Sequence, residues 1–303
     1  LPWSDIVLSM LVNQLQTKKN IFVEKTVGVK KYIAPNIRPL DVVNTARDQS
    51  VAAYKSSPTY MFYETLKGFN FRTLASLYNE KPFMEYTTYV KGALVGKNGV
   101  VDLIKDLNNV LGYEIVANND TLLNYRTGMY ASELIKHDIR NKSISRKVYN
   151  YHDNFENEDH IVSGVKEGKT EYPLASSVAL NPSGQRVSDF PARTFVVPTS
   201  LHNRSDGQHA TPDNTYPYEA YGAEKWLQRR NSQMTQIQSG FSVNIICHGN
   251  TYVNAGQKVI LNLPYTAALK TADGQKNDRF YKGPFLIKNV RHDFSFDKSP
   301  QKH

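Results

Sequence analysis

The chain has 303 residues, of which 40% are hydrophobic, and it carries a formal net charge of +9 at pH 7. This length suffices for two domains or one large one, and the single cysteine, Cys247, excludes an internal disulfide framework and a cysteine-rich zinc site. No apolar run approaches the length of a membrane span. The positive charge is compatible with an acidic partner, although a solvated basic surface is the simpler explanation.

Residues 1–95 predict a mixed α/β unit. Ser4 is a suitable N-cap for a first helix, and Pro39 in a first helical turn predicts a second helix that ends at Ser56–Pro58. The aromatic segments Tyr60–Leu66 and Gly68–Phe71 are typical of the two strands of a hairpin. Shorter elements are predicted on either side of these, namely a strand at 21–23 and a helix at 73–78.

Residues 96–185 predict a connecting region with helical and extended segments. Apolar residues at helical spacing favour a helix from Val100 to Leu111, and Gly112 stands where such a helix would end. A further helix is predicted over Thr121–His137, although Gly128 inside it costs about 1 kcal/mol relative to alanine. Ser163–Arg193 is rich in Gly, Ser, Pro and Lys, which predicts a long loop.

Residues 186–303 predict a C-terminal β-barrel-like domain that contains a helix at 224–238. Leu227 and Met234 define the apolar face of this helix, whereas Arg229, Arg230 and Gln233 fall on positions predicted to be wetter. The glycine at position 240 is expected to end the helix, because glycine is common just past a helix C-terminus.

Strands are predicted on both sides of this helix. Thr194–Val197 reads as a short strand before it, and Phe241–Ile246 alternates apolar with polar residues after it. Val259–Leu263 repeats the alternation until Pro264 closes it. We expect the segments 224–263 and 279–294 to form one barrel-like sheet, against which Trp226 is buried.

One cluster of residues has the composition of a metal site. His and acidic residues lie close together at His152, Asp153, Glu156, Glu158, Asp159 and His160. Their spacing matches neither a helical His-x-x-x-His pair nor a calcium loop with its central glycine, so a solvated acidic turn is the preferred interpretation. No phosphate loop, dinucleotide fingerprint or nucleophile elbow occurs in the sequence. We therefore predict no catalytic, cofactor-binding or metal-binding residue.

Two basic pairs are candidates for phosphate contacts. Lys30–Lys31 and Arg229–Arg230 each have one aromatic residue nearby, Tyr32 and Trp226, which is less interleaving than base-stacking proteins use. The sequence thus offers only a weak indication of nucleic-acid binding. His292 is expected to be a hydrogen-bonded strand histidine, and Cys247 a buried residue at a strand end.

Several segments resemble the baseplate hub proteins of contractile-tailed bacteriophages. The similarity is carried by W-L-Q-R-R-N-S-Q at 226–233, by G-N-T-Y-V-N-A-G-Q-K-V at 249–259, and by F-Y-K-G-P-F-L-I at 280–287. Earlier segments follow in the same order as in that family, namely 33–39, 60–65, 68–72, 124–132 and 137–138. The resemblance covers most of the chain outside 160–220 and rests on packing and turn residues.

The resemblance implies an α+β fold with antiparallel β-barrel-like domains and packed helices, in the tube-like architecture of phage tail hubs. It implies a non-enzymatic structural virion component, a homotrimer at the tip of the tail tube that forms a conduit for DNA ejection. Its implied partners are the tail tube or tube-initiator protein, the central spike protein and neighbouring baseplate wedge proteins. It implies neither a cofactor, nor a specific small-molecule ligand, nor membrane insertion.

The implied location is the tail baseplate of a virion assembled in the host cytoplasm. The alternatives are a tail-associated cell-wall hydrolase and a basic nucleic-acid-binding module. The many aromatic residues, with 19 Tyr and 13 Phe, favour protein–protein contacts. The start at Leu1 and the strand-like end at Phe294–Phe296 suggest that both ends belong to a longer polypeptide.

Overall fold

The computed structural model describes residues 1–29, 32–88, 103–117, 120–138, 142–161, 179–199, 223–264 and 277–294. The helices are α1 (Trp3–Ser9), continued by a π-helical turn (Met10–Gln14), α2 (Pro39–Gln49), α3 (Leu74–Tyr78), α4 (Leu103–Leu107), α5 (Thr121–Arg126), α6 (Tyr151–Asn154) and α7 (Ala223–Ser239), with 3-10 turns at Phe155–Asn157 and Val187–Asp189. The strands are β1 (Ile21–Val23), β2 (Tyr60–Thr65), β3 (Gly68–Thr73), β4 (Glu85–Thr87), β5 (Val110–Ala117), β6 (Ala131–Asp138), β7 (Ser143–Asn150), β8 (Arg193–Thr199), β9 (Ser242–Cys247), β10 (Lys258–Pro264) and β11 (Asn277–Leu286).

The fold is α+β, with helices and several small sheets. The chain divides into two compact units, each built from two separate stretches. The large unit combines Leu1–Asn79 with Ile115–Val243, and the small unit combines Glu80–Glu114 with Asn244–His303. These units interleave along the sequence, unlike the three consecutive segments predicted above. In the described part of the chain the sheets have two or three strands each and none closes into a barrel.

The first half of the large unit packs helices α1 and α2 against the sheet β1-β3-β2. The predicted hairpin is confirmed, with β2 and β3 antiparallel and in register from Tyr60 opposite Thr73 to Thr65 opposite Gly68. The Tyr60 ring stacks on Phe71 with 4.6 Å between centroids, and its hydroxyl donates to the Lys25 carbonyl oxygen at 3.0 Å. The buried residues of this core are Trp3, Val7, Leu11, Val43, Ala46, Ala52, Tyr60, Phe69 and Phe71.

Two helix ends in this half differ from the sequence expectation. Helix α1 begins at Trp3 with Pro2 as N-cap, and the Ser4 amide donates to the Thr26 hydroxyl oxygen instead of Ser4 capping the helix. Helix α2 begins at Pro39 as predicted but ends at Gln49, because Ser50 has extended backbone angles and its hydroxyl donates to the Ala46 carbonyl. The short helix predicted at 73–78 is confirmed as α3.

The hairpin turn requires glycine at position 68. Its φ is +137°, and a Cβ there would lie 2.1 Å from the carbonyl oxygen of Asn20. We expect Gly68→Ala to lower the free energy of unfolding by about 2–3 kcal/mol, because it combines backbone strain with a steric overlap. Urea unfolding measures this loss. Gly184→Ala is the control, since a Cβ at Gly184 (φ +76°) meets no atom within 4 Å. Equal losses in the two variants would contradict the steric explanation.

The second half of the large unit contains the sheet β7-β6-β8, with β7 antiparallel and β8 parallel to the central strand β6. The single helix predicted over Thr121–His137 is wrong. Helix α5 ends at Arg126, Gly128 takes a φ of +74°, and strand β6 follows from Ala131. The positive φ breaks the helical geometry that the apolar spacing alone suggested. The predicted strand at 194–197 is confirmed as β8.

In the small unit, β10 pairs with antiparallel β11 on one side and parallel β4 on the other. Val259, Leu261 and Leu263 are buried, which confirms their predicted common face. The predicted barrel-like sheet over 224–263 and 279–294 is wrong, since β9 pairs with β5 while β10 pairs with β4 and β11. The long helix predicted from Val100 is limited to Leu103–Leu107 in the described residues, and Gly112 lies inside β5.

Candidate functional site

Helix α7 is the element around which the large unit is organised, and its buried face is unusually polar. The predicted helix at 224–238 is confirmed, and Trp226 is buried as predicted, with 7% of its surface exposed, although the helix packs against β6 and β7 and not against the predicted C-terminal sheet. The expectation that Gln233 lies on a wet position is wrong, because it is also buried. A buried polar group costs free energy unless it is hydrogen-bonded. The polar residues of α7 that are buried are Gln228, Ser232, Gln233, Thr235 and Ser239.

One set of these side chains bonds to the backbone of the second half of the unit. The Gln228 amide nitrogen donates to the carbonyl oxygens of Ser132, at 2.9 Å, and Lys147, at 3.1 Å. The Ser232 hydroxyl donates to the Met129 carbonyl at 2.8 Å. These bonds fix α7 across strands β6 and β7, so the polar residues serve as anchors in place of an apolar stripe.

Arg230 connects α7 to the first half of the unit. Its guanidinium donates to an Asp48 carboxylate oxygen at 2.8 Å and to the Tyr60 carbonyl oxygen at 3.2 Å. Burial lowers the pKa of Arg230, and the charge of Asp48 offsets part of that effect. The guanidinium is thus committed to internal partners, and the interpretation of this position as wet is wrong.

Arg229 forms a buried ion pair with Glu158. The two guanidinium–carboxylate distances are 2.7 Å and 3.2 Å, and only 3% of the Glu158 side chain is exposed. A third guanidinium nitrogen donates to the Ser56 carbonyl at 2.9 Å. Burial by itself lowers the pKa of Arg229, but the hydrogen bond and charge of Glu158 outweigh it, so this pKa lies above its ordinary value.

Gln233 completes this network. Its amide nitrogen donates to Glu158, and its amide oxygen accepts a hydrogen bond from the Thr59 hydroxyl. Next in sequence to Glu158, Asp159 accepts from the Lys55 ammonium at 2.8 Å and from the Asn79 amide at 3.2 Å. The hydrogen bond and charge of Asp159 raise the pKa of Lys55. The segments around 56–59, 158–159 and α7 are therefore tied together by charged and polar bonds.

The candidate metal cluster is part of this network, and the preferred interpretation of a solvated acidic turn is wrong for Glu158. Both histidines of the cluster also have neighbours: the His160 ring stacks on Phe155 at 3.9 Å, and a His152 ring nitrogen lies 2.9 Å from the Arg186 guanidinium, whereas Asp153 and Glu156 are exposed. Among the residues that the structure describes, no three His, Cys, Asp or Glu side chains are grouped so that they could hold a metal ion.

Tyrosines surround the ion pair. Tyr130, Tyr149 and Tyr151 are buried beside Phe155, and the ring of Tyr151 meets that of Phe155 edge-on at 5.5 Å. Burial, with a smaller effect of the Glu158 charge, raises the pKa of the Tyr149 phenol. The neutral phenols fill the space around Glu158 with apolar ring surface, which excludes water from the ion pair.

Burial also raises the pKa of Tyr78, to about 12, from an ordinary value of 10.0. The neutral phenol therefore stabilises the fold below pH 10, and this contribution is lost as the pH rises towards 12. We expect the phenolate absorbance of the native protein after a rapid pH jump to include a step near pH 12 that Tyr78→Phe reduces in amplitude, the remainder coming from Tyr86, whose pKa burial also raises to about 12. A Tyr78→Phe titration that differs from wild type only near pH 10 would contradict this.

The remaining sequence candidates are dispersed. Lys30–Lys31 lies outside the described residues. His292 lies after the end of β11 and not in a strand, so the expected strand histidine is wrong. Cys247 is half-buried, less than predicted, and its sulfur accepts a hydrogen bond from the Tyr86 hydroxyl, which contributes, after burial, to the raised pKa of Tyr86. No helix in the described part of the chain is long and apolar enough to cross a membrane.

The charged side chains of the α7 network are paired with one another within the chain. Arg229, Arg230, Glu158 and Asp48 each have an internal partner of opposite charge. Such an arrangement positions chain segments.

No family model matches the sequence, and no curated protein sequence matches it.

Proposed function

We propose that this protein is a structural virion component, a baseplate hub subunit at the tip of a phage tail tube. In this role it forms a ring that joins the tube to the central spike and contacts neighbouring baseplate proteins. The proposal rests on the segments that resemble those of hub proteins and that occur here in the same order. A second support is that the residues of the motif on α7 hold that helix in place.

The motif W-L-Q-R-R-N-S-Q spans the anchoring part of α7. Gln228, Arg229, Arg230, Ser232 and Gln233 all bond to other segments of the chain. The residues of this motif are therefore among those that hold α7 in the large unit. Proteins that share a fold are expected to share the residues of its buried hydrogen-bond network, because a partly satisfied network destabilises the fold.

The barrel-like architecture is part of the same proposal. Each three-stranded sheet in the described residues is open, with two edge strands. Edge strands expose unpaired N–H and C=O groups that pair readily with another chain. We propose that the sheets are completed into barrel-like rings when three copies assemble.

Sedimentation velocity and negative-stain electron microscopy test the assembly. The protein is expected to form trimers that appear as rings, alone or with co-expressed tube and spike proteins. A stable monomer at about 10 μM that binds neither partner would contradict the proposal.

Two assays separate the alternative functions. Clearing of a peptidoglycan gel by the purified chain would favour a cell-wall hydrolase. Retention on nucleic acid with a steep salt dependence would favour a basic nucleic-acid-binding module, because counterion release governs such binding. We expect neither result.

A further inference from the structure

We draw no further inference here: the strongest candidate, the apolar face of the sheet β7-β6-β8 on which Ile144, Val148 and Val196 are exposed, carries none, because its charged residues Glu133 and Arg146 pair with each other within the chain and nothing in the structure shows what covers it.

Discussion

Arg229→Ala is expected to lower the free energy of unfolding of the large unit by about 3–5 kcal/mol. The substitution leaves the Glu158 carboxylate buried without its ionic partner, since only 3% of that side chain is exposed. It also removes the donor to the Ser56 carbonyl. Urea unfolding followed by tryptophan fluorescence measures the loss, because both tryptophans, Trp3 and Trp226, lie in the large unit.

An exposed ion pair provides the control for this substitution. Lys19 pairs with Glu64 in the same unit, but both side chains are about half exposed, so Lys19→Ala is expected to change stability by less than about 1 kcal/mol. The difference between the two variants compares a pair whose carboxylate is buried with a pair that solvent reaches on both sides. Similar small losses in both would contradict the structural role of the α7 network.

A double variant isolates the cause. Arg229→Met combined with Glu158→Gln removes both charges and keeps an amide oxygen that can accept the hydrogen bond from Gln233. We expect it to be more stable than Arg229→Met alone, because the cost of a broken pair comes chiefly from the uncompensated charge. If the double variant is less stable than the single one, loss of packing and not stranded charge explains the effect.

Local patterns were sufficient for much of the fold. The hairpin at Tyr60–Thr73, the start of α2 at Pro39 and the extent of α7 follow from residues that are close together in sequence. The exchange of helix for strand after Arg126 depended on the positive φ of Gly128. Apolar spacing does not reveal that angle, because glycine adopts both signs of φ.

The α7 network could not be predicted from the helix alone. The apolar periodicity of a helix predicts that its polar and charged residues face solvent. This is why the sequence predicts Arg229 and Gln233 on solvent-facing positions. Their partners are Ser56, Thr59 and Glu158, which are brought near α7 only by the tertiary fold. The available signal was the helical repeat of polar residues: Gln228 and Ser232, like Arg229 and Gln233, lie four apart on one face. Such a repeat is ambiguous until the partners are known.

Trp226→Ala is the second substitution with a large expected effect, a loss of about 3–5 kcal/mol in the free energy of unfolding. Trp226 is 7% exposed within the single chain, on a helix that packs against β6 and β7. Removing its ring leaves a cavity, and the hydrogen bonds of Gln228 and Ser232 hold the helix itself in place, so the helix is not expected to shift and fill the space. Gln238→Ala, at an exposed position of the same helix, is the control and is expected to lie within about 0.5 kcal/mol of wild type.

Melting curves and sizing of the Trp226→Ala variant separate folding from assembly. Because the ring is already enclosed by its own chain, we expect the melting temperature to fall at every protein concentration, including those at which only monomer is present. A variant that melts like wild type but fails to self-associate would instead place Trp226 at a contact between subunits. If neither folding nor assembly changes, α7 is peripheral, which its buried bonds to Ser132, Met129 and Glu158 oppose.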